Sequence, residues 1–317
     1  MKPMSKSDRW IAIVNPNAAG AKLEKDWPYI HKLLKESNID VETKFTTHRY
    51  HAVELTVMAI REGYRHILSV GGDGTLHEVV NGIFIQKEIP VSEVTVAIIP
   101  AGSGNDWGRM YGVPSDYADA VKIVRNQKTI LQDIGKITYT DSGVRSAQYM
   151  VNIAGVGLDA SICKRCNHAK NKGQSSKFSY IKAAFAALIF RRSVHSEIII
   201  DNKTLYNGKV FSIALGVGRY SGGGMKQLPD ALCNDGLLNI MVAKDLPKIK
   251  FITHFKKLFS GGIYSIKEVL HDTFRHLEIK SDVDELIEVD GEIVGTTPME
   301  MEVIPCALRV VVGQIER

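Results

Sequence analysis

Residues 69–78 read Ser-Val-Gly-Gly-Asp-Gly-Thr-Leu-His-Glu, which places three glycines, one carboxylate and one hydroxyl between an apolar run and a helical pattern. The run at 66–70 predicts a buried strand, and the spacing at 76–85 predicts a helix. Glycines at such a turn let backbone N–H groups approach a ligand, and the helix N-terminus attracts anions. A carboxylate among phosphates is repulsive unless a divalent cation lies between them. The stretch therefore indicates a site for a metal-bound nucleotide, with a plain tight turn as the alternative.

Strands and helices alternate around this loop. Apolar runs predict strands at 10–14, 41–46, 66–70 and 95–99, with helices following at 23–34, 51–62, 75–85 and 115–125. Such alternation is typical of a Rossmann-like α/β domain, a parallel sheet with helices on both faces. Ligands of these sheets bind outside the carboxyl ends of the strands. The turns at 15–20, 46–47, 71–75 and 102–106 should therefore line one nucleotide cleft.

The pattern changes near residue 133. Short alternating runs separated by turns predict a second, mainly antiparallel β-sandwich domain, with strands at 134–140, 148–153, 196–200, 210–216, 237–243, 276–280, 286–289 and 308–312. Helical insertions are expected at 177–190 and 247–259. The predicted domains are 1–132, which binds the nucleotide, and 133–312, with a tail at 313–317 that could return to the first domain.

Composition points to an ordinary globular chain. Its 317 residues are 44% hydrophobic and 24% charged, and no apolar stretch approaches the ~20 residues of a membrane span, so a cytoplasmic chain is expected. The four cysteines (Cys163, Cys166, Cys233 and Cys306) form no disulfide framework. The C-x-x-C at 163–166 lacks further ligands at zinc spacing, which disfavours a metal or redox role.

The net charge of +5 is concentrated in one place. Residues 161–193 carry eight Lys and Arg and no acid. Few aromatic residues accompany these cations to stack on bases, so nucleic acid is disfavoured as a partner. A dehydrogenase is also disfavoured, because no G-x-G-x-x-G follows the first strand.

Six segments in order carry a resemblance to a known family. They are Asn15-Pro16 with Gly20, the glycine loop 71–75, Pro-Ala-Gly-Ser-Gly-Asn-Asp at 100–106, Asn-Ile-Ala-Gly-Val-Gly-Leu-Asp at 152–159, Asp-Gly-Leu at 235–237 and Val-Asp-Gly-Glu at 289–292. With them the chain resembles the diacylglycerol kinase catalytic family, in particular its soluble bacterial lipid kinases. The glycine loop alone also occurs in NAD kinases and phosphofructokinases. The resemblance implies an ATP-binding α/β domain followed by a β-rich lipid-acceptor domain, and transfer of the ATP γ-phosphoryl group to a lipid hydroxyl with Mg²⁺.

The resemblance also implies roles for residues of the first domain. Asp73 would hold or polarise the catalytic Mg²⁺. Thr47 is an alternative to Thr46, and Asp106 could equally act in the site or cap its own helix. The residues expected to contact the nucleotide are Asn15, Thr46, Gly71, Gly72, Gly74, Thr75, Ser103 and Asn105.

Three acids of the second domain receive roles in the same way. Glu292 would be the general base that accepts the proton of the lipid hydroxyl, and Asp290 would steady Glu292 or the metal. An ordinary Asp-Gly hairpin turn is the alternative at 289–292. Asp235, with the carbonyls of Leu232 and Leu237, would form a second Mg²⁺ site, for which an exposed Asp-Gly turn is the alternative.

The expected partner is a membrane lipid substrate. The apolar segment 180–190 is too short to span a bilayer and lies within the basic patch 164–192, which predicts a transient peripheral membrane contact; a buried helix beside a solvated basic loop is the alternative. An exposed β edge would allow a homodimer. A NAD kinase-like enzyme and a non-catalytic nucleotide-binding regulator are the competing functions. The acceptor lipid stays open among diacylglycerol, phosphatidylglycerol, a sphingoid base and ceramide.

Overall fold

A computed structural model describes residues 5–171, 187–188, 190–245 and 247–315. The chain divides into two compact units. Unit 1 comprises residues 5–132 and 306–315, and unit 2 comprises residues 133–305. The returning segment of unit 1 begins at Cys306, whereas the sequence placed the return at residue 313. It begins earlier because Arg309 and Val310 pair in parallel with Thr95 and Val96.

Unit 1 is the predicted parallel α/β fold. Four strands lie in the order β2-β1-β3-β4, and the end of the last strand of the chain adds to β4. Its elements are β1 (Trp10–Val14), α1 (Ala18–Glu36), β2 (Val41–Phe45), α2 (His51–Arg61), β3 (His66–Gly71), α3 (Asp73–Ile85), β4 (Thr95–Pro100), α4 (Asp106–Met110) and α5 (Tyr117–Asn126).

Helix α3 packs closely against α2. Every residue of β1 and β4 is buried, as expected for a parallel sheet covered by helices on both faces. Gly82 lets α3 approach α2, because a Cβ there would lie 2.8 Å from the backbone oxygen of Val53. Glu78 of α3 accepts the N–H groups of Tyr50 and Ala52 at the start of α2. The start of α2 is thereby held against α3.

Unit 2 is mainly antiparallel. Its elements are β5 (Thr129–Asp141), which starts in unit 1, then β6 (Val144–Met150), β7 (Ile153–Gly157), α6 (Leu158–Asn171), β8 (Val194–Ile200), β9 (Lys203–Gly216), β10 (Tyr220–Ser221), β11 (Met225–Lys226), β12 (Leu238–Lys244), α7 (Lys248–Ser260), β13 (Val269–Phe274), β14 (His276–Ser281), β15 (Leu286–Val289) and β16 (Glu292–Val311), which ends in unit 1.

Two strand routes connect β9 to β16 in unit 2. One passes through β7 and β15, and the other through β8 and β14. The apolar side chains between them form a buried core that includes Ile213, Leu215, Ile279 and Met301. This closed arrangement confirms the sandwich-like second domain.

Local differences from the expected strands have physical causes. The run 148–153 is interrupted at 151–152, because a carboxylate described below binds the backbone N–H groups there. The helix expected at 247–259 is α7. Most of the helix expected at 177–190 lies outside the described residues. Within the described ranges, no helix is both long and apolar enough to cross a membrane.

Candidate active site

The glycine loop joins β3 to α3 through a turn in which position 71 has no room for a side chain. A Cβ on Gly71 would lie 2.4 Å from the hydroxyl oxygen of Thr75. The N–H of Thr75 donates to the carbonyl of Gly72 at 3.0 Å, which starts the helix directly after the strand. Gly74 lies in the first turn of this helix. Backbone N–H groups are therefore concentrated at the helix N-terminus, where they favour an anion.

A second loop, at 101–105, packs directly on the first. A Cβ on Gly102 would lie 2.6 Å from the Cα of Gly72, so the two backbones are in contact. The N–H of Ala101 donates to the carbonyl of Gly71 at 2.7 Å. Asn105 adopts a left-handed conformation (φ 52°), and its side-chain oxygen accepts the N–H of Gly102 at 2.8 Å. Asn105 thus holds the second loop closed.

Asp73 ties the two loops together. Its carboxylate accepts the N–H groups of Asp106 at 3.3 Å and Trp107 at 3.2 Å, at the start of α4. The indole N–H of Trp107 donates to the side-chain oxygen of Gln132 at 3.1 Å, and both side chains are fully buried. The predicted metal-binding acid therefore also caps the start of α4. The buried hydrogen bond between Trp107 and Gln132 in turn holds α4 in place.

The remaining predicted nucleotide residues lie at the same sheet edge. The side-chain N–H of Asn15 donates to the hydroxyl of Thr75 at 3.2 Å, which brings the end of β1 to the glycine loop. The N–H of Thr46 donates to the carbonyl of Val14 at 2.9 Å, so Thr46 follows β2 beside β1. Ser103 is exposed at the tip of the second loop. The structure thus groups all the residues expected at the nucleotide.

Two carboxylates flank Gly104. A Cβ on this glycine would lie 3.1 Å from one oxygen of Asp73 and 3.1 Å from one oxygen of Asp106. Carboxylate oxygens are the donors that Mg²⁺ prefers. Among the residues that the structure describes, no group of three or more His, Cys, Asp and Glu is placed to hold a metal ion. This arrangement fits a cation that is coordinated mainly by nucleotide phosphates and water, with carboxylate help from the protein.

The set predicted as a second metal site lies at a turn that hydrogen bonds hold in place. Asp235 accepts the N–H of Leu237 at 3.0 Å, and the buried Asp133 accepts the N–H of Gly236 at 2.7 Å. The side chain of Leu232 is exposed. The bond between Asp235 and Leu237 is that of an ordinary Asx turn, and Asp133 holds the turn from a distant part of the chain. Because the geometry adds nothing in favour of a cation here, the set of Leu232, Asp235 and Leu237 stays a prediction.

Residues 289–292 form the hairpin that was the alternative in the sequence. Asp290 (φ 49°) and Gly291 (φ 91°) are the two residues of a tight turn, and Val289 pairs with Glu292. Cys163 of α6 donates its thiol hydrogen to the carbonyl of Gly291 at 3.0 Å. A base on this hairpin would therefore be held by the turn and by α6.

Asp290 points back into unit 2. Its buried carboxylate accepts three backbone N–H groups, from Val151 at 2.9 Å, Asn152 at 2.9 Å and Ile153 at 3.1 Å. These bonds stabilise the charged carboxylate and interrupt the strand at 151–152. Asp290 therefore fixes the hairpin that carries Glu292, which gives physical content to its predicted steadying role.

Glu288 was not singled out in the sequence. It pairs with Gly155 across β15 and β7, and a Cβ on Gly155 would lie 3.0 Å from its carboxyl oxygen. Gly291 donates its backbone N–H to the same carboxyl group. Burial raises the pKa of Glu288 well above its usual range, and the neighbouring charges of Asp159, Asp290 and Glu292 raise it further. Its place in an alternating strand made it look like a solvent-facing residue.

Asp159 is a second acid that sequence patterning left without a role. Its carboxylate accepts the hydroxyl of Ser212 at 2.8 Å and the amide of Gln227 at 2.9 Å. Burial raises its pKa, although both hydrogen bonds and the charge of Arg191 act in the opposite direction. The hydroxyl of Ser221 donates to Gln227 at 2.8 Å, so the glycine-rich turn 221–224 is tied to the same network.

Comparison with known proteins agrees with this geometry. Residues 9–137 match the diacylglycerol kinase catalytic domain, and residues 152–312 match the YegS C-terminal NAD kinase beta sandwich-like domain. A diacylglycerol kinase from Staphylococcus haemolyticus (strain JCSC1435) is 28% identical, over 90% of this chain and 82% of its own length. One from Staphylococcus saprophyticus is 25% identical, over 90% and 89%. A diacylglycerol kinase structure from Bacillus anthracis str. Sterne shares the fold with a TM-score of 0.76, at 24% identity over 98% of this chain and 99% of that chain.

The protein is therefore a kinase whose two domains are matched one after the other along the chain. It belongs to the diacylglycerol kinase family. Membership confirms the resemblance carried by the six segments, and it implies ATP as the phosphoryl donor.

The contact between the two loops predicts the effect of adding one methyl group. Gly102→Ala should weaken ATP binding about 5- to 150-fold, because the Cβ would meet the backbone of Gly72 and overpacking costs about 1–3 kcal/mol. Isothermal titration with ATP measures the change. The control is Gly262→Ala, after α7, where the nearest atom to an added Cβ is at an ordinary van der Waals distance of 3.5 Å. Equal ATP affinity in Gly102→Ala and wild type would contradict the contact.

The three N–H bonds of Asp290 predict a loss of stability. In Asp290→Asn one amide nitrogen must face a backbone N–H, which should lower the free energy of unfolding by about 1–3 kcal/mol. Urea unfolding measures it. The exposed Asp284→Asn should stay within about 0.5 kcal/mol of wild type. An Asp290→Asn protein as stable as this control would show that the carboxylate does not hold the turn.

The raised pKa of Glu288 predicts how stability depends on pH. Folding holds the proton of Glu288, so the wild type loses stability as pH rises from about 4.5 through the folded-state pKa. Glu288→Gln keeps an acceptor for Gly291 without the charge. Its melting temperature should therefore rise relative to wild type as pH increases, and the gap should shrink towards pH 5. Glu300→Gln on β16, whose exposed carboxylate pairs with Arg145, is the control. A difference in melting temperature between Glu288→Gln and wild type that does not change with pH would show that Glu288 holds no proton in the folded state.

Proposed function

We propose that this protein transfers the γ-phosphoryl group of ATP, bound with Mg²⁺, to the hydroxyl of diacylglycerol or a related membrane lipid. The observation that carries the proposal is the joining of the two glycine loops by Asp73, beside Asp106. Phosphoryl transfer requires positioning and charge neutralisation more than covalent chemistry. A rigid anion-binding edge with two acids answers that requirement.

Unit 1 provides the donor side of the reaction. The N–H groups at the start of α3, with the hydroxyl of Thr75, would bind the phosphates. Asn15 orients that hydroxyl through its hydrogen bond. Asp73 and Asp106 would hold the cation, which when bound neutralises charge on the phosphates. The fixed backbone of α4 keeps both acids in place without rearrangement.

Unit 2 provides the acceptor side. Glu292 would accept the proton of the lipid hydroxyl as the hydroxyl oxygen attacks phosphorus. The hairpin turn, the three N–H bonds of Asp290 and the thiol of Cys163 limit its motion. A base held in this way keeps its geometry between turnovers.

The lipid substrate implies peripheral membrane contact, proposed for the basic patch 164–192. The described part of this patch shows two kinds of cation. Arg191 forms a buried ion pair with Glu285 at 2.6 Å, so it serves the fold. Arg165 lies 5.6 Å from the ring of the exposed Phe190. We propose that cations such as Arg165, which lie beside exposed apolar surface, contact the lipid headgroups.

Loss of the base tests the proposal. With Mg²⁺ and labelled ATP, the wild type should phosphorylate lipid in mixed micelles, and Glu292→Gln should lower kcat about 10²- to 10⁴-fold with ATP affinity retained. The lipid panel contains diacylglycerol, phosphatidylglycerol, a sphingoid base and ceramide, with NAD as a soluble acceptor. Glu300→Gln, on the same strand, is the control and should keep full activity.

Two results would contradict the proposal. Full activity of Glu292→Gln would remove its role as base. Phosphorylation of NAD with no lipid product would instead identify a NAD kinase-like enzyme, in keeping with the NAD kinase-like name of the second matched domain.

A further inference from the structure

Helix α7 of unit 2 exposes an apolar stripe. Its inward side is anchored by Leu258, which is buried in a cluster with Met225, Met241 and Ile263. Four other large apolar side chains on the helix are exposed: Ile249 by 72%, Ile252 by 51%, Phe255 by 41% and Phe259 by 48%. Their spacing of three, three and four residues places them along one side of the helix.

Exposed apolar residues are common when scattered, but a contiguous patch marks an interaction surface. Phe255 and Phe259 are themselves in contact, with ring centroids 5.5 Å apart. Ile249 and Ile252 extend the patch towards the start of the helix. The stripe therefore requires a partner that covers apolar surface.

The charges on α7 identify the chemistry of that partner. Residues 248–260 contain four lysines and no acid. Lys256 is exposed beside the stripe, and Lys257 donates to the hydroxyl of Ser265 at 2.8 Å. Lys250 pairs with Glu268 at 2.6 Å. A helix with an apolar side and only basic charges has the composition of an interfacial membrane helix.

We propose that α7 is a surface through which this protein docks onto anionic lipid bilayers, with the stripe of Ile249, Ile252, Phe255 and Phe259 entering the boundary between headgroups and acyl chains. The inference rests on the proposed function, because a kinase that acts on a membrane lipid must contact the bilayer. It concerns a different element from the basic patch 164–192.

A second copy of the chain fits this surface less well. An isologous contact would bring the same lysine-bearing helix from each copy together, and like charges facing each other oppose association. An anionic bilayer supplies both an apolar interior and the opposite charge. Both features of the helix are then used by a single partner.

The docking helix is mechanically linked to the acceptor side. Ile153 belongs to the same buried cluster as Leu258. The N–H of Ile153 donates to the carboxylate of Asp290 at 3.1 Å, and the N–H of Asp290 donates to the carbonyl of Ile153 at 2.9 Å. The apolar cluster that anchors α7 therefore includes a residue that is hydrogen-bonded to Asp290. A bilayer bound by α7 is held by the same unit that carries the proposed base.

Vesicle binding without ATP tests the docking surface. The stripe variant is Ile252→Ser with Phe259→Ser, and the control is Met58→Ser with Val144→Ser, two side chains exposed by 53% and 64% on other elements. The probe is flotation with phosphatidylcholine vesicles containing a minority of phosphatidylglycerol. We expect affinity to fall about tenfold or more in the stripe variant and to stay within about twofold of wild type in the control.

Vesicle composition and salt concentration test the preference for anionic lipid. Wild type should bind vesicles of pure phosphatidylcholine less tightly than the mixed vesicles, and the difference should vanish near 1 M salt, where screening acts over about 3 Å. Equal binding to both vesicle types at low salt would overturn the anionic preference. Wild-type affinity in the stripe variant would overturn the docking surface. A wild-type dimer that the stripe variant dissociates, with vesicle binding unchanged, would assign the stripe to a second copy instead.

The outcome separates docking from the proposed activity. The stripe variant should phosphorylate a short-chain diacylglycerol dispersed as monomers as fast as wild type, because no residue of α7 belongs to the proposed site. If wild type phosphorylates no lipid but stripe-dependent vesicle binding holds, the proposed function fails and the docking surface stands. If wild type phosphorylates lipid but vesicle binding does not depend on the stripe, the docking surface fails and the proposed function stands.

Discussion

The contact of two glycine backbones is the constraint on which unit 1 depends. Gly72 and Gly102 touch without side chains between them, and this closeness lets one carboxylate, that of Asp73, cap the helix that follows the second loop. Any side chain at either glycine would separate the loops and remove the cap. The helix start at the glycine loop and the placing of the two acids around Gly104 are thus products of one close approach.

Unit 2 uses a comparable device at a different kind of turn. Asp290 accepts three backbone N–H groups, as Asp73 accepts two. In each case a carboxylate accepts backbone N–H groups and thereby fixes a segment that carries a proposed functional group. Hydrogen bonds of this charge-assisted kind are stronger than neutral ones, so they can hold a loop without a large apolar core beneath it. A carboxylate in a motif can therefore act on the backbone as well as on a ligand.

The features that the sequence predicted are those that depend on local pattern. The alternation of strands and helices, the glycine turn at 71–75 and the helix α7 follow from spacing and turn chemistry, and each is present. The features that it missed depend on contacts between distant segments. The break at 151–152 is made by Asp290, far along the chain, and the early return of the chain at Cys306 depends on pairing with β4. The burial of Glu288 was missed for the same reason, because it depends on pairing with Gly155 in a distant strand.

Four acids lie close together in unit 2: Asp159, Glu288, Asp290 and Glu292. Their negative charges repel one another unless hydrogen bonds or protonation stabilise each of them. The charge of Asp290 is stabilised by backbone N–H groups, and that of Asp159 by Ser212 and Gln227. For Glu288, burial and the adjacent charges favour the protonated form, which removes one charge from the group. Because Asp290 and Asp159 are held by hydrogen bonds within unit 2, Glu292 is the acid of this group to which the proposed role of base is assigned. The residue letters Asp and Glu alone would have suggested four interchangeable candidates, whereas the hydrogen bonds divide them into different tasks.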